Sequence, residues 1–232
     1  MSGIGALERP KKQSLDRAAA ESLRNAITSG QIAPGARLTE IRLAEQFQLS
    51  RGTVRAALHR LVSEGLVVQR PYSGWEVTSL TPQDAWDLAT LRSSLEALAA
   101  RLAAERMDAA GRKTVEDAFA ALAEACGGDD WAALVAADMA FHRAVVSLSG
   151  NRRLVEHYDL IANQVRLYIA SSNRLILPMG SLLDRHRALV EPLLAGDAER
   201  AEKAFRDLAM RSGAEIVAHL EKIGAEGEGA DH

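Results

Sequence analysis

Between Leu38 and Val77 the apolar positions change period twice. Thr39 can cap a helix whose apolar positions are Leu43, Ala44 and Phe47, with Glu40 in the favourable first turn. Ser50 can cap a second helix, in which Val54, Leu58, Leu61 and Val62 recur at helical spacing and form a buried stripe. The opposite face carries Arg51, Gly52, Thr53, Arg55, His59 and Arg60. Gly52 removes bulk near the helix start, where a sugar-phosphate backbone could come close. Glu64-Gly65 suits a helix end, because glycine tolerates the left-handed conformation past a C-cap. Leu66-Val67-Val68 and Trp75-Glu76-Val77-Thr78 are strand-like, and Pro71-Tyr72-Ser73-Gly74 between them is a turn. The predicted order is capped helix, tight joint, arginine-led helix and two-stranded wing. In a helix-turn-helix reader the start of the second helix touches DNA.

Beyond Thr81-Pro82-Gln83-Asp84 the period is helical throughout, and that segment marks a domain boundary with Pro near the first turn. Six helices are predicted, roughly 82–106, 109–126, 129–149, 151–174, 179–195 and 197–222. Gly127-Gly128, Gly150-Asn151, Pro178-Met179-Gly180 and Gly196-Asp197 separate them. High alanine content allows close helix packing, so the segment reads as an all-α bundle. The chain is therefore expected to be mostly α: residues 13–80 a winged helix-turn-helix domain, residues 81–224 an all-α domain. The polar or Gly-rich tails 1–12 and 225–232 are expected to be disordered.

Charge sharpens this division. Net charge over 232 residues is −3, which by itself does not suggest nucleic acid. Residues 1–80 carry 11 Lys+Arg against 7 Asp+Glu, a net of +4; residues 81–232 carry 17 against 24, a net of −7. The first part is the electrostatic match for DNA and the second would be repelled by it. One cysteine, Cys126, rules out an intrachain disulfide and fits a reducing compartment. The N-terminus has no apolar signal core, and no apolar run is read as approaching transmembrane length, so a cytoplasmic protein without a membrane partner is expected.

Three features of the bundle can carry chemistry. Asp138 and His142, four residues apart, share a helix face, so a carboxylate and an imidazole can converge on one point as in a metal site. An isolated match of this kind reads first as a helix-surface Asp–His pair. His186 opens a helix running through Leu193-Leu194, and a lone His there also fits a structural role. Arg92 lies beside an apolar stripe of Leu88, Leu91, Leu95, Leu98 and Leu102, and a partly buried Arg needs an anionic partner.

Residues 15–78, including Ile27-Thr28-Ser29-Gly30-Gln31-Ile32-x-Pro34-Gly35-x-Arg37-Leu38, resemble the winged-helix domain of GntR-type bacterial transcription regulators. The resemblance implies that Arg51 and Arg55 contact bases and phosphates and that Thr53 contacts a phosphate or base edge. It also implies that Gly74 sits at the wing tip in the minor groove and Arg42 touches a phosphate. Residues 82–222 resemble the FCD effector domain of the FadR-like branch of that family. Leu91-Arg92-x-x-Leu95-Glu96, Asp138-x-x-Phe141-His142, Ser149-Gly150-Asn151, His186-Arg187-x-Leu189-Val190 and Gly196-Asp197-Ala198-Glu199 carry it. In that family an Asp or Asn plus three His hold a divalent metal, and the metal with a nearby Arg binds a small carboxylate. Asp138, His142 and His186 match three ligand positions and Arg92 the arginine. The fourth falls on Leu208, which cannot ligate; His219 lies three helical turns further on, about 16 Å away.

Two states are open. Asp138, His142 and His186 hold a divalent ion such as zinc or nickel with water or effector in the free positions, or the site has lost its metal. In the second case Arg92, His142 and His186 line an anion cavity, with Arg166 as a further candidate. The leading functional expectation is a homodimeric regulator, mostly repressors in this family, that reads a palindromic operator and answers to a small organic acid. Two alternatives remain: a hydrolytic metalloenzyme, although no HExxH, nucleophile elbow or phosphate loop is present, and an architectural DNA binder without effector.

Overall fold

Alternating caps and apolar stripes set up a helical chain with one small sheet. The computed structural model describes residues 14–70, 74–79, 81–176 and 179–228. The elements are α1 (Leu15–Thr28), β1 (Arg37–Leu38), α2 (Glu40–Phe47), α3 (Arg51–Ser63), β2 (Val67–Arg70), β3 (Gly74–Val77), α4 (Pro82–Glu105), α5 (Ala109–Cys126), α6 (Trp131–Leu148), α7 (Arg152–Ile176), α8 (Met179–Ala195) and α9 (Ala198–Glu228). The expected tail 1–12 and the turn residues Pro71, Tyr72 and Ser73 lie outside the described residues.

In the N-terminal domain both predicted caps form. Thr39 Oγ1 accepts from the Arg42 amide and Ser50 Oγ from the Thr53 amide. Gly65 closes α3 at φ +70, a value most side chains resist. Val54, Ala57, Leu58 and Leu61 are the buried positions of α3; Val62, expected in the stripe, is 36% exposed because Ala57 takes the inner position. The sheet has an unpredicted third strand, with order β1-β3-β2 and both pairings antiparallel. Two-residue β1 is too short to leave an alternation in the sequence; it is specified by pairing Arg37 with Glu76 and Leu38 with Trp75.

Helices α4–α9 form the bundle, close to the predicted bounds. α9 continues to Glu228, four residues into the segment expected to be a disordered tail. The leucine stripe of α4 is only partly its core face: Leu88 and Leu95 are half-buried against the bundle cores, and the fully buried positions are small or charged. Ala85, Ala89, Arg92, Ser93, Glu96, Ala97, Ala100, Ala103 and Ala104 are among its buried residues, whereas Leu91 and Leu98 are 47% and 43% exposed. The reason is steric: a Cβ added at Gly213 of α9 would come within 2.2 Å of the Ala89 Cβ, so α4 and α9 meet closer than leucines allow. α6 also departs from expectation. Its 18 residues have a mean hydropathy of 1.3, long and apolar enough by composition to cross a membrane. It instead carries buried Asp138 and His142 and packs against α4, α5 and α7.

Helix α7 joins the two domains. Its Leu167 belongs to the apolar core of the N-terminal domain, and Asn163 Nδ2 donates to Glu64 Oε2 at 2.9 Å. Glu64 also receives both arms of Arg24, at 2.6 Å each. Further along the same helix, Ile161, Val165 and Ile169 pack with Val135 of α6 inside the bundle.

Candidate functional site

On the N-terminal domain, Arg42, Arg51 and Arg55 are exposed, Thr53 is half-buried and Gly74 opens β3 opposite Arg70. Thr53 Oγ1 lies 2.8 Å from Ser50 Oγ, which fixes the first turn of α3. Arg55 is not free: its Nε and one terminal nitrogen donate to the two oxygens of Glu40 at 2.8 Å each. Arg51 lies 3.7 Å from the same carboxylate, and Trp75 Nε1–H donates to it at 3.2 Å. Glu40, read from sequence as a favourable first-turn charge, thus ties α2, α3 and the wing together. The Arg55 hydrogen bond, with help from Trp75 and the charge of Arg51, holds its pKa at about 2. A guanidinium held in a planar fork is positioned in advance, which lowers the ordering cost of any further contact it makes.

Inside the bundle, Asp138 and His142 share one face of α6, and α8 brings His186 against them. All three are buried, and their ligand atoms lie within 4.8 Å of one another. His142 Nε2 and His186 Nε2 are 3.1 Å apart, and His186 Nε2 is 2.9 Å from Asp138 Oδ1. His186 Nδ1–H donates to the Leu182 carbonyl at 2.9 Å, which turns Nε2 inward. Glu96 of α4 stands behind the other ring, with Oε2 2.9 Å from His142 Nδ1, although neither atom completes a well-aligned hydrogen bond. Phe141 and Phe205 wall the rings edge-on, with centroids 5.3 to 5.8 Å from them.

Two imidazole nitrogens facing each other at hydrogen-bond distance need a proton or a metal ion between them. Without metal, a proton on His186 Nε2 satisfies Asp138 and His142 together. Burial works against that charge, but Asp138 outweighs it and raises the His186 pKa. Burial also opposes ionised Asp138, which His186 nonetheless holds low. With a divalent ion, the inward nitrogens and Asp138 Oδ1 supply three donors of the right type, so the residues fit a metal with open positions.

Arg92 Nε donates to Glu96 Oε1 at 2.7 Å, and Tyr158 Oη of α7 donates to the same oxygen at 3.2 Å. Burial alone would raise the Glu96 pKa; Arg92 and then His142 outweigh it and hold it at about 2. Glu96 entered the sequence reading only as the end of the Leu91–Glu96 motif, without a role, and Tyr158 did not enter it. The i,i+4 spacing of Arg92 and Glu96 was the available signal for Glu96; Tyr158 had none. Arg92 lines two small cavities of about 20 Å³ each, one shared with Asp138, His186 and Leu208, the other with Ala89, Tyr168 and Gly213. Each holds about one water. Leu208 does face the site, as the spacing implied. Arg166 does not: it lies on the outer side of α7, in a crevice against α1 and α2.

Residues 15–77 match the family of bacterial regulatory proteins of the gntR type, and residues 87–211 match the FCD domain. The chain belongs to the GntR family and carries an FCD domain. The "Probable D-xylose utilization operon transcriptional repressor" of Paenarthrobacter nicotinovorans is 33% identical over 179 residues, covering 77% of this chain and 78% of that protein. The transcriptional repressor GlaR of Escherichia coli is 28% identical over 198 residues, 79% of this chain and 87% of that one. Among solved structures, a GntR regulator from Rhodococcus sp. RHA1 superposes with a TM-score of 0.76 at 28% identity, over 89% of this chain and 99% of its own. McbR/YncC of E. coli has the same fold, with a TM-score of 0.76 at 23% identity, over 90% and 100%. This GntR-family protein is a DNA-binding transcription regulator with an FCD effector domain. Its family is one of regulators rather than enzymes.

Proposed function

We propose that this GntR-family protein is a homodimeric repressor whose grip on a palindromic operator is released by a small organic acid bound in the FCD bundle. Arg51, Thr53 and Arg55 read the major groove, Arg42 touches a phosphate and Gly74 stands beside the wing tip in the minor groove. Asp138, His142 and His186 would hold a divalent ion such as zinc or nickel, which supplies a Lewis-acidic centre for the carboxylate of the acid. Arg92 offers a second positive charge to that acid, and Glu96 fixes the Arg92 and His142 side chains.

The observation that carries this reading is the double engagement of α7. Tyr158 bonds to Glu96 beside the metal-type trio, and five residues on, about 7.5 Å along the helix axis, Asn163 bonds to Glu64 at the end of α3. A ligand larger than water does not fit the cavities beside Arg92 as they stand, so its entry displaces α7, α9 or Leu208. Moving α7 shifts the helix that presents Arg51 and Arg55, and so couples the two sites.

The test is a gel-shift titration of Arg51→Ala and Arg55→Ala on the operator. Each loses about 1–3 kcal/mol of specific binding if it makes a base contact. Unchanged affinity in both variants removes α3 as the reading helix.

A further inference from the structure

The crevice that holds Arg166 separates the two domains. Its volume is about 580 Å³, with α1 and α2 on one wall and the start of α6 (Ala132) and Arg166 of α7 on the other. It shares no residue with the cavities lined by Arg92. Ser22, Asn25 and Gln46 supply neutral donors and acceptors, and among the described residues no acidic side chain lines it. Arg166 Nε is buried and has no hydrogen-bond partner among the described residues. Burial lowers the Arg166 pKa, and no carboxylate offsets it. Other part-buried arginines are matched: Arg24 has Glu64 within the N-terminal domain, and Arg185 has Glu215 within the bundle. A half-buried guanidinium without an anion loses hydration and gains nothing in return. Its fork geometry suits an oxyanion.

We propose that this crevice is a second anion site, in which Arg166 and the polar side chains of α1 and α2 hold a small carboxylate or phosphate between the DNA-reading domain and the bundle. The site would take an anion with a compact polar body, because most of its polar contacts come from neutral side chains at one wall. An occupant touches both domains at once, so it favours the domain arrangement described above over any other and acts independently of the acid in the bundle. The coupling to DNA rests on the regulator reading; the binding itself does not.

The experiment uses the full-length protein, with inorganic phosphate and citrate as separate probes, in thermal melts and calorimetric titrations at ionic strength matched with sodium chloride. Saturable binding of at least one probe, with a rise in melting temperature that Arg166→Gln abolishes and His142→Ala retains, is expected. Without added anion Arg166→Gln should melt no lower than wild type, since it removes an unmatched charge. The choice between phosphate and citrate identifies which oxyanion chemistry fits. Equal binding by wild type and Arg166→Gln, or no response beyond the chloride control, overturns the site. Gel shifts with and without the bound probe then read the coupling: a change in operator affinity in wild type that Arg166→Gln lacks is expected. Binding with no such change overturns the regulatory role while leaving the site.

Discussion

Leu208→His restores the donor missing from the bundle site, so its cost in stability depends on whether metal is bound. Leu208 is 9% exposed and faces a cavity of about 20 Å³ with Asp138, His186 and Arg92. Losing that buried aliphatic side chain costs about 1.5–3 kcal/mol. A buried imidazole without a partner adds about 1–3 kcal/mol. Together these span about 2.5–6 kcal/mol; at about 4 kcal/mol the chelated variant melts roughly 8–16 °C below wild type for a protein of this size. With zinc the new ring becomes a fourth ligand. A ligand at 100 times its dissociation constant contributes about 2.7 kcal/mol to the folded state, so most of the deficit is recovered. The assay is a pair of thermal melts, with chelator and with zinc, alongside metal content by mass spectrometry after dialysis. The gap between the two melts should be wider in Leu208→His than in wild type, and the variant should retain more metal. A variant no more responsive to zinc than wild type would refute the assignment of Asp138, His142 and His186 as ligands around a position facing Leu208.

The other expectations concern charge and association. Glu40 has a folded pKa of about 2 against an ordinary value of 4.5. A lowered carboxylate pKa stabilises the fold above the unfolded value, and that contribution is lost as pH falls toward the folded one. Glu40→Gln should therefore melt below wild type near neutral pH, with the gap narrowing on acidification below about pH 4.5; a gap independent of pH would show that the Arg55 pair contributes nothing. Arg92→Ala leaves Glu96 buried with its strongest partner gone, and should destabilise the bundle by about 3–5 kcal/mol. A melting temperature within a degree of wild type would mean that Arg92 is dispensable to the fold and free to serve the effector alone. Leu91 and Leu98 lie seven residues apart on one face of α4 and are half-exposed, which is the spacing of a helix–helix seam. If the proposed homodimer uses this face, Leu91→Asp with Leu98→Asp should give a monomer in light scattering without loss of helical signal, and a persistent dimer would place the interface elsewhere.

The chain itself determined its local structure. Thr39 and Ser50 as caps, Gly65 as a stop and the 3.6-residue period after Pro82 produce α2, α3 and the bundle helices, because capping and amphipathic spacing act within a few residues. Asp138 and His142 could be paired from sequence for the same reason: one helix turn separates them. Tertiary structure decided what depends on distance in space. β1 exists only against β3. Leu91 and Leu98 of α4 face outward because Gly213 and Ala89 let α9 approach too closely for leucines, and Arg92 and Glu96 point into the bundle. Arg166 lies at a domain crevice rather than in the effector cavity because α7 has two working faces, and periodicity alone does not say which neighbour each face meets. Glu40 became the link between α2, α3 and the wing, and Glu96 with Tyr158 became part of the bundle site, through partners 15 to 62 residues away in sequence. No spacing rule reaches that far; packing does.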